Sequence, residues 1–106
     1  MTETSWTDDD PMTFVTVWEP EAGREQELFE ILRSQTETWM TKLPGFRSTR
    51  LYLEDDGKHI VSATEWDNSA AHAAAQANPS FGPLLAEAIA FSKRTSMRCH
   101  SFRVIA

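Results

Sequence analysis

Apolar and polar positions along the chain change period several times, and each change marks an element. "MTFVTVWE", Met12 to Glu19, is rich in β-branched and aromatic residues and predicts a strand. Phe14, Thr16 and Trp18 share one face of it, and Thr13, Val15 and Val17 the other. In "PEAGREQELFEILRSQTETWMTKLPG" the apolar period becomes helical, through Leu28, Ile31, Leu32, Gln35, Trp39 and Leu43. Acidic residues crowd the start of that run, suiting the positive end of a helix dipole. Lys42 lies near its end, and Pro44-Gly45 stops it.

The segment "FRSTRLYLEDDGKHIVSATEW" predicts two strands joined by a tight hairpin at Asp56-Gly57. "DNSAAHAAAQAN" predicts a helix capped by Asp67 or Asn68. Pro79 interrupts it, and a second helical piece starts near Pro83 in "SFGPLLAEAIAFSK". "MRCHSFRVI" closes the chain as a strand with Phe102 and Val104 on one face. Residues 1–11 are polar and acidic and predict a loose arm; residues 12–106 form one domain.

Strand, helix, strand, strand, broken helix, strand predicts an α+β fold, a ferredoxin-like βαββαβ sandwich with a four-stranded antiparallel sheet. One sheet face meets the helices. The other carries too many apolar residues to stay in water, so a homodimer packed sheet to sheet is expected.

The 106 residues carry a formal charge of −6, which argues against nucleic acid and anionic membrane surfaces as partners. Much of that acidity lies in "TETSWTDDD" and "EDD", so the folded body is nearer neutral. With one cysteine, Cys99, neither an internal disulfide nor a cysteine metal cluster is expected. The start shows no basic region followed by an apolar run, and no stretch approaches the about 20 apolar residues of a membrane span. A cytoplasmic setting is expected.

Gly-rich phosphate loops, GxSxG and HExxH are all absent. His59, His72 and His100 are scattered, and no metal is expected. His59, beside the hairpin turn, reads as solvated. Chemistry centres on "IVSATEW". Period two puts Ile60, Ser62, Thr64 and Trp66 on one face, a wide indole beside small hydroxyls. Such a mixture suits the lining of a largely apolar ligand cavity. It also suits an indole that plugs the sheet while the hydroxyls bond nearby backbone. Thr16 lies on a similar face and is expected to meet Ser62, and Tyr52 adds a phenol. His72, among alanines, carries an imidazole fit for proton transfer near neutrality, or is a surface histidine.

"VTVWEPEAGREQELFEILRSQ" and "PGFRSTRLYLEDDGKHIVSATEWDNSAAHAAAQANPSFGPLL" resemble the antibiotic biosynthesis monooxygenase domain family. The most specific marks are "PGF", the strand-ending "EW", the short Ala-rich helix and "NPSF". The resemblance implies a dimeric α+β fold and a cofactor-independent monooxygenase that oxidises flat, electron-rich polyketide anthrones or quinols with O2. It matches family positions to Trp66, His72, Ser62 and Thr16; taken with the reading of the residues, catalytic roles are expected of Trp66, His72 and Ser62, and substrate contacts of Thr16, Tyr52, Thr64 and Leu85. His72 stands where polyketide oxygenases carry tyrosine; Ser62 and Thr16 stand where relatives carry asparagine. Leu84 and Leu85 occupy the place of an arginine some relatives use. The same resemblance leaves two alternatives, a non-catalytic binding or assembly dimer and a haem-degrading monooxygenase.

Overall fold

A computed structural model describes residues 9–92 and 98–103. The elements run β1 (Met12–Trp18), α1 (Glu25–Thr38), a 3-10 turn (Met40–Lys42), β2 (Phe46–Leu53), β3 (Ile60–Trp66), α2 (Ser69–Ala77), α3 (Phe81–Ile89) and β4 (Arg98–Arg103). The arm expected over 1–11 lies outside the described residues as far as residue 8, and so does Val104 at the end of the last strand.

The four strands form one antiparallel sheet in the order β2-β3-β1-β4, the ferredoxin-like arrangement. β1 and β3 are its central neighbours, and Thr16 pairs directly with Ser62. The helices cover the face that carries Met12, Thr16, Trp18, Ile60, Thr64 and Trp66, all buried. Two apolar clusters fill that layer. One joins Trp18, Leu28, Leu32, Ile60 and Ala88; the other joins Met12, Trp66 and Ala75, with Phe46 and Met40 packed against them.

Local chemistry explains where the elements differ from the expected ones. α1 ends at Thr38 instead of running on to Lys42, and Trp39 leaves the helical region at φ −124°, ψ −57°. Thr36, Thr38 and Thr41 donate their hydroxyls to the carbonyls of Leu32, Ser34 and Glu37, a back-bonding that bends and weakens a helix end. Asn68, not Asp67, caps α2, accepting the Ala71 N–H at 2.8 Å. α3 begins at Phe81, before Pro83, because a proline in the first helical turn forgoes no intrahelical hydrogen bond.

The hairpin is longer than the two-residue turn expected at Asp56-Gly57. Glu54 N–H bonds the His59 carbonyl at 2.9 Å and closes the loop between them. Gly57, at φ +71°, and the Asp56 carboxylate, accepting Lys58 N–H, shape that loop. His59 is half-buried there rather than solvated, with Nδ1 3.3 Å from the Glu54 carboxylate.

The face of the sheet away from the helices presents Val15, Val17, Val61 and Ala63, flanked by Tyr52 at 49% and Phe102 at 53% exposure. Among the described residues no helix is long and apolar enough to cross a membrane.

Candidate functional site

The register of the sheet explains why a hollow exists. On the helix-covered face, rows of paired residues cross all the strands. At one end the row is Arg103, Met12, Trp66 and Phe46. The next is Ser101, Phe14, Thr64 and Thr49, then Cys99, Thr16, Ser62 and Leu51. Trp18, Ile60 and Leu53 close the far end. Large side chains fill the end rows, whereas in the two middle rows Phe14 and Leu51 stand among small hydroxyls and a thiol. The helices rest on the tall ends and span the low centre. A cavity of about 280 Å³ remains between the two apolar clusters.

Trp66 and Trp18 are the opposing end walls, and both line the cavity. Trp66 is 3% exposed and meets Phe46 edge to face at 5.8 Å. The indole is thus both core and wall, the two readings that residue types left open. Trp18 donates its indole N–H to Ser62 Oγ at 3.2 Å. Ser62 therefore serves Trp18 as acceptor and retains its own proton to donate. Thr64 and Thr49 bond through their hydroxyls at 2.9 Å, and Thr49 also reaches Met40 Sδ at 3.8 Å. Thr16 Oγ1 lies 3.7 Å from Cys99 Sγ.

His72 enters from α2. Its backbone N–H bonds the Asn68 carbonyl at 3.4 Å, so the asparagine cap sets the phase that carries the imidazole. The ring tilts against Phe14, 4.2 Å between centroids, and lies 6.0 Å from Trp66. Partial burial lowers its pKa from the ordinary 6.5, and the positive charge of Arg103 lowers it further. The imidazole is consequently neutral at pH 7 and able to accept a proton. Arg103 is fixed in turn by donating to Ser69 Oγ at the start of α2.

Two further features place α2 so close to the sheet. Gly45 takes φ +82°, which side chains other than glycine rarely adopt. A Cβ on Gly45 would lie 2.4 Å from Ala71 Cβ, so the turn after α1 and the helix bearing His72 pack backbone to side chain. The "PGF" and Ala-rich marks of the sequence thus meet at one contact.

Of the residues expected at the site, Thr16, Ser62, Thr64, Trp66, His72 and Leu85 all line the cavity. Tyr52 does not, and this corrects the expectation. Unbroken alternation from Phe46 would bring Tyr52 onto the cavity face. A bulge between Phe46 and Ser48 inserts one residue, and every later side chain of β2 changes face. Tyr52 pairs with Val61 on the opposite face. The bulged Arg47 turns out to bond Asp67 at 2.6 Å. His100 pairs with Val15 on the outer face, away from the cavity.

Sequence reasoning missed Trp18 as a wall, Phe14 as the partner of His72, and Gln35 as a polar lining residue. The signal for the first two was present, since Phe14, Thr16 and Trp18 repeat on β1 the mixed face of β3. At the hairpin, Glu54, Asp56 and His59 bring potential ligand atoms within 4.8 Å of one another. None of them lines the cavity.

The model of a family described as antibiotic biosynthesis monooxygenase matches residues 11–84. No curated protein matches the chain. Among solved structures, SnoaB, a cofactor-independent oxygenase from Streptomyces nogalater, is 24% identical with a TM-score of 0.80, covering 92% of this chain and 95% of that one. A monooxygenase from the gene ActVA-Orf6 of Streptomyces coelicolor, in complex with nanaomycin D, is 16% identical with a TM-score of 0.82, covering 92% and 90%. Rv0793 from Mycobacterium tuberculosis is 16% identical with a TM-score of 0.79, covering 92% and 97%. At these identities the likeness to the solved structures is one of fold.

Proposed function

Because the chain belongs to the antibiotic biosynthesis monooxygenase family, we propose that it oxidises a flat, electron-rich aromatic of anthrone or quinol type with O2, using no cofactor. The observation that carries this reading is the hollow between two indoles, floored by hydroxyls and edged by a neutral imidazole. Its volume, about 280 Å³, is just under the roughly 300–1,000 Å³ of small-molecule sites. A compact system of two or three fused rings suits it.

In this reading the substrate supplies the electrons. His72 takes the acidic C–H or O–H proton, leaving a delocalised carbanion. The anion passes one electron to O2, and the radical pair joins as a peroxide at carbon. The protonated His72 returns its proton to the outer peroxide oxygen, and loss of water from the hydroperoxide leaves the new carbonyl, so an anthrone CH2 and O2 become a quinone C=O and H2O. Trp66, Trp18 and Leu85 hold the rings. Ser62, Thr16 and Thr64 give hydrogen bonds to the oxygen on which negative charge gathers. Exclusion of water by the apolar walls strengthens those bonds.

The hydroxyls of Ser62 and Thr16, each with one proton to give, support a second reading in which the site binds a ligand and leaves it unchanged. The test is incubation with anthrone under air, with metal and flavin removed. The oxygenase reading expects quinone absorbance to rise well above the buffer rate and haemin to show no new Soret band on mixing. Ligand binding with no acceleration over buffer would leave only the binding dimer. The exposed apolar sheet face further supports a homodimer packed sheet to sheet, which light scattering would register as twice the 12.0 kDa chain.

A further inference from the structure

Gln35 is a buried polar side chain in the helical wall of the cavity, and its amide is fixed by α3. It comes from α1 and is 9% exposed. Its Nε2 donates to the Leu84 carbonyl at 2.8 Å and to the Glu87 carboxylate at 2.9 Å, both on α3. These two bonds use both amide protons, and both partners are acceptors only, so the oxygen and nitrogen of the amide cannot exchange places without losing both. Oε1 is then the polar atom of this side chain with no partner among the described residues, and Gln35 lines the cavity.

We infer that Gln35 Oε1 is the acceptor for a ring hydroxyl of the substrate and selects phenols over their ethers and deoxy analogues. The inference rests on the oxygenase reading and narrows its substrate class. The hydroxyls of Thr16, Ser62 and Thr64 turn to give or take a proton, so they discriminate weakly. An amide oxygen can only accept. A ligand with hydrogen or methoxy at that place leaves Oε1 buried and unsatisfied, which costs more than the bond itself contributes. His72 reaches the ligand from α2 and Gln35 from α1, so ring orientation is set from two separate elements.

The test measures dissociation constants for β-hydroxyanthraquinone, its methyl ether and anthraquinone by quenching of tryptophan fluorescence. The native protein is expected to bind the hydroxyl compound about tenfold more tightly than the other two. Gln35→Met, checked for folding by circular dichroism, is expected to bind all three alike. A tenfold preference that survives in folded Gln35→Met overturns the inference while leaving the oxygenase reading in place. Glu87 is exposed, so Glu87→Ala retains the fold while releasing one of the two bonds on the amide. It is expected to reduce the preference to about threefold; an unchanged preference there overturns the positioning by Glu87. A native protein that binds none of the three overturns the oxygenase reading itself.

Discussion

His72→Gln is expected to lower turnover of an anthrone by about 10² to 10⁴, the usual contribution of a positioned general base. Glutamine keeps a hydrogen-bonding group of similar reach and loses the basic nitrogen. The pH profile identifies the role more sharply than the rate. In the folded protein the imidazole is depressed below 6.5 by burial and then by Arg103. A neutral base is required, so activity in the native protein should fall only as pH drops through a value below 6.5. In His72→Gln that acid limb should vanish. Arg103→Met should move it upward towards 6.5, because removing the positive charge makes protonation easier. Stability follows the same sign. Below pH 6.5 the unfolded chain binds a proton at this residue before the folded chain does, so stability falls as pH falls through that window. A His72→Gln enzyme that retains the acid limb would retire the imidazole as the base.

Most of the fold was legible because its signals are local. Period two in β1 and β3, the helical period of α1 and the proline break between α2 and α3 each arise within a few residues. The pairing of Thr16 with Ser62 followed from topology alone. Illegible parts depend on one residue whose effect is felt at a distance. The bulge at Arg47 carries no composition signal, yet it moves Tyr52 from the cavity face to the opposite one. Gln35 lies in the helical apolar period of α1, and only the approach of α3 shows that its amide is fixed, with both protons given to Leu84 and Glu87 and the oxygen without a partner among the described residues. Trp66 shows a different limit. Residue types allowed a plug or a wall, and the side chain is both, because the rows beside it carry Thr64 and Ser62 where large residues would have filled the space.

Gly45→Ala should be among the most damaging single-methyl additions in the chain. Two costs combine there. The backbone at φ +82° disfavours any Cβ, and the added carbon would sit 2.4 Å from Ala71 Cβ. Neither atom belongs to a flexible side chain, so relief requires α2 to move. Strain and overpacking together predict a loss of about 2–4 kcal/mol, or about 10 °C or more in melting temperature for a domain of this size. Gly57→Ala supplies the control, since Gly57 has φ +71° but nothing within 4 Å of the added carbon. It should lose only about 1–2 kcal/mol from backbone strain. The excess at Gly45 then measures the contact with α2. That contact also sets the position of His72, one residue beyond Ala71. Gly45→Ala should therefore lower turnover at temperatures where it is still folded, whereas Gly57→Ala should leave turnover near the native value. Equal thermal shifts for the two variants, with equal activities, would show that α2 does not depend on this close approach and that His72 is held by the Asn68 cap and the Phe14 ring alone.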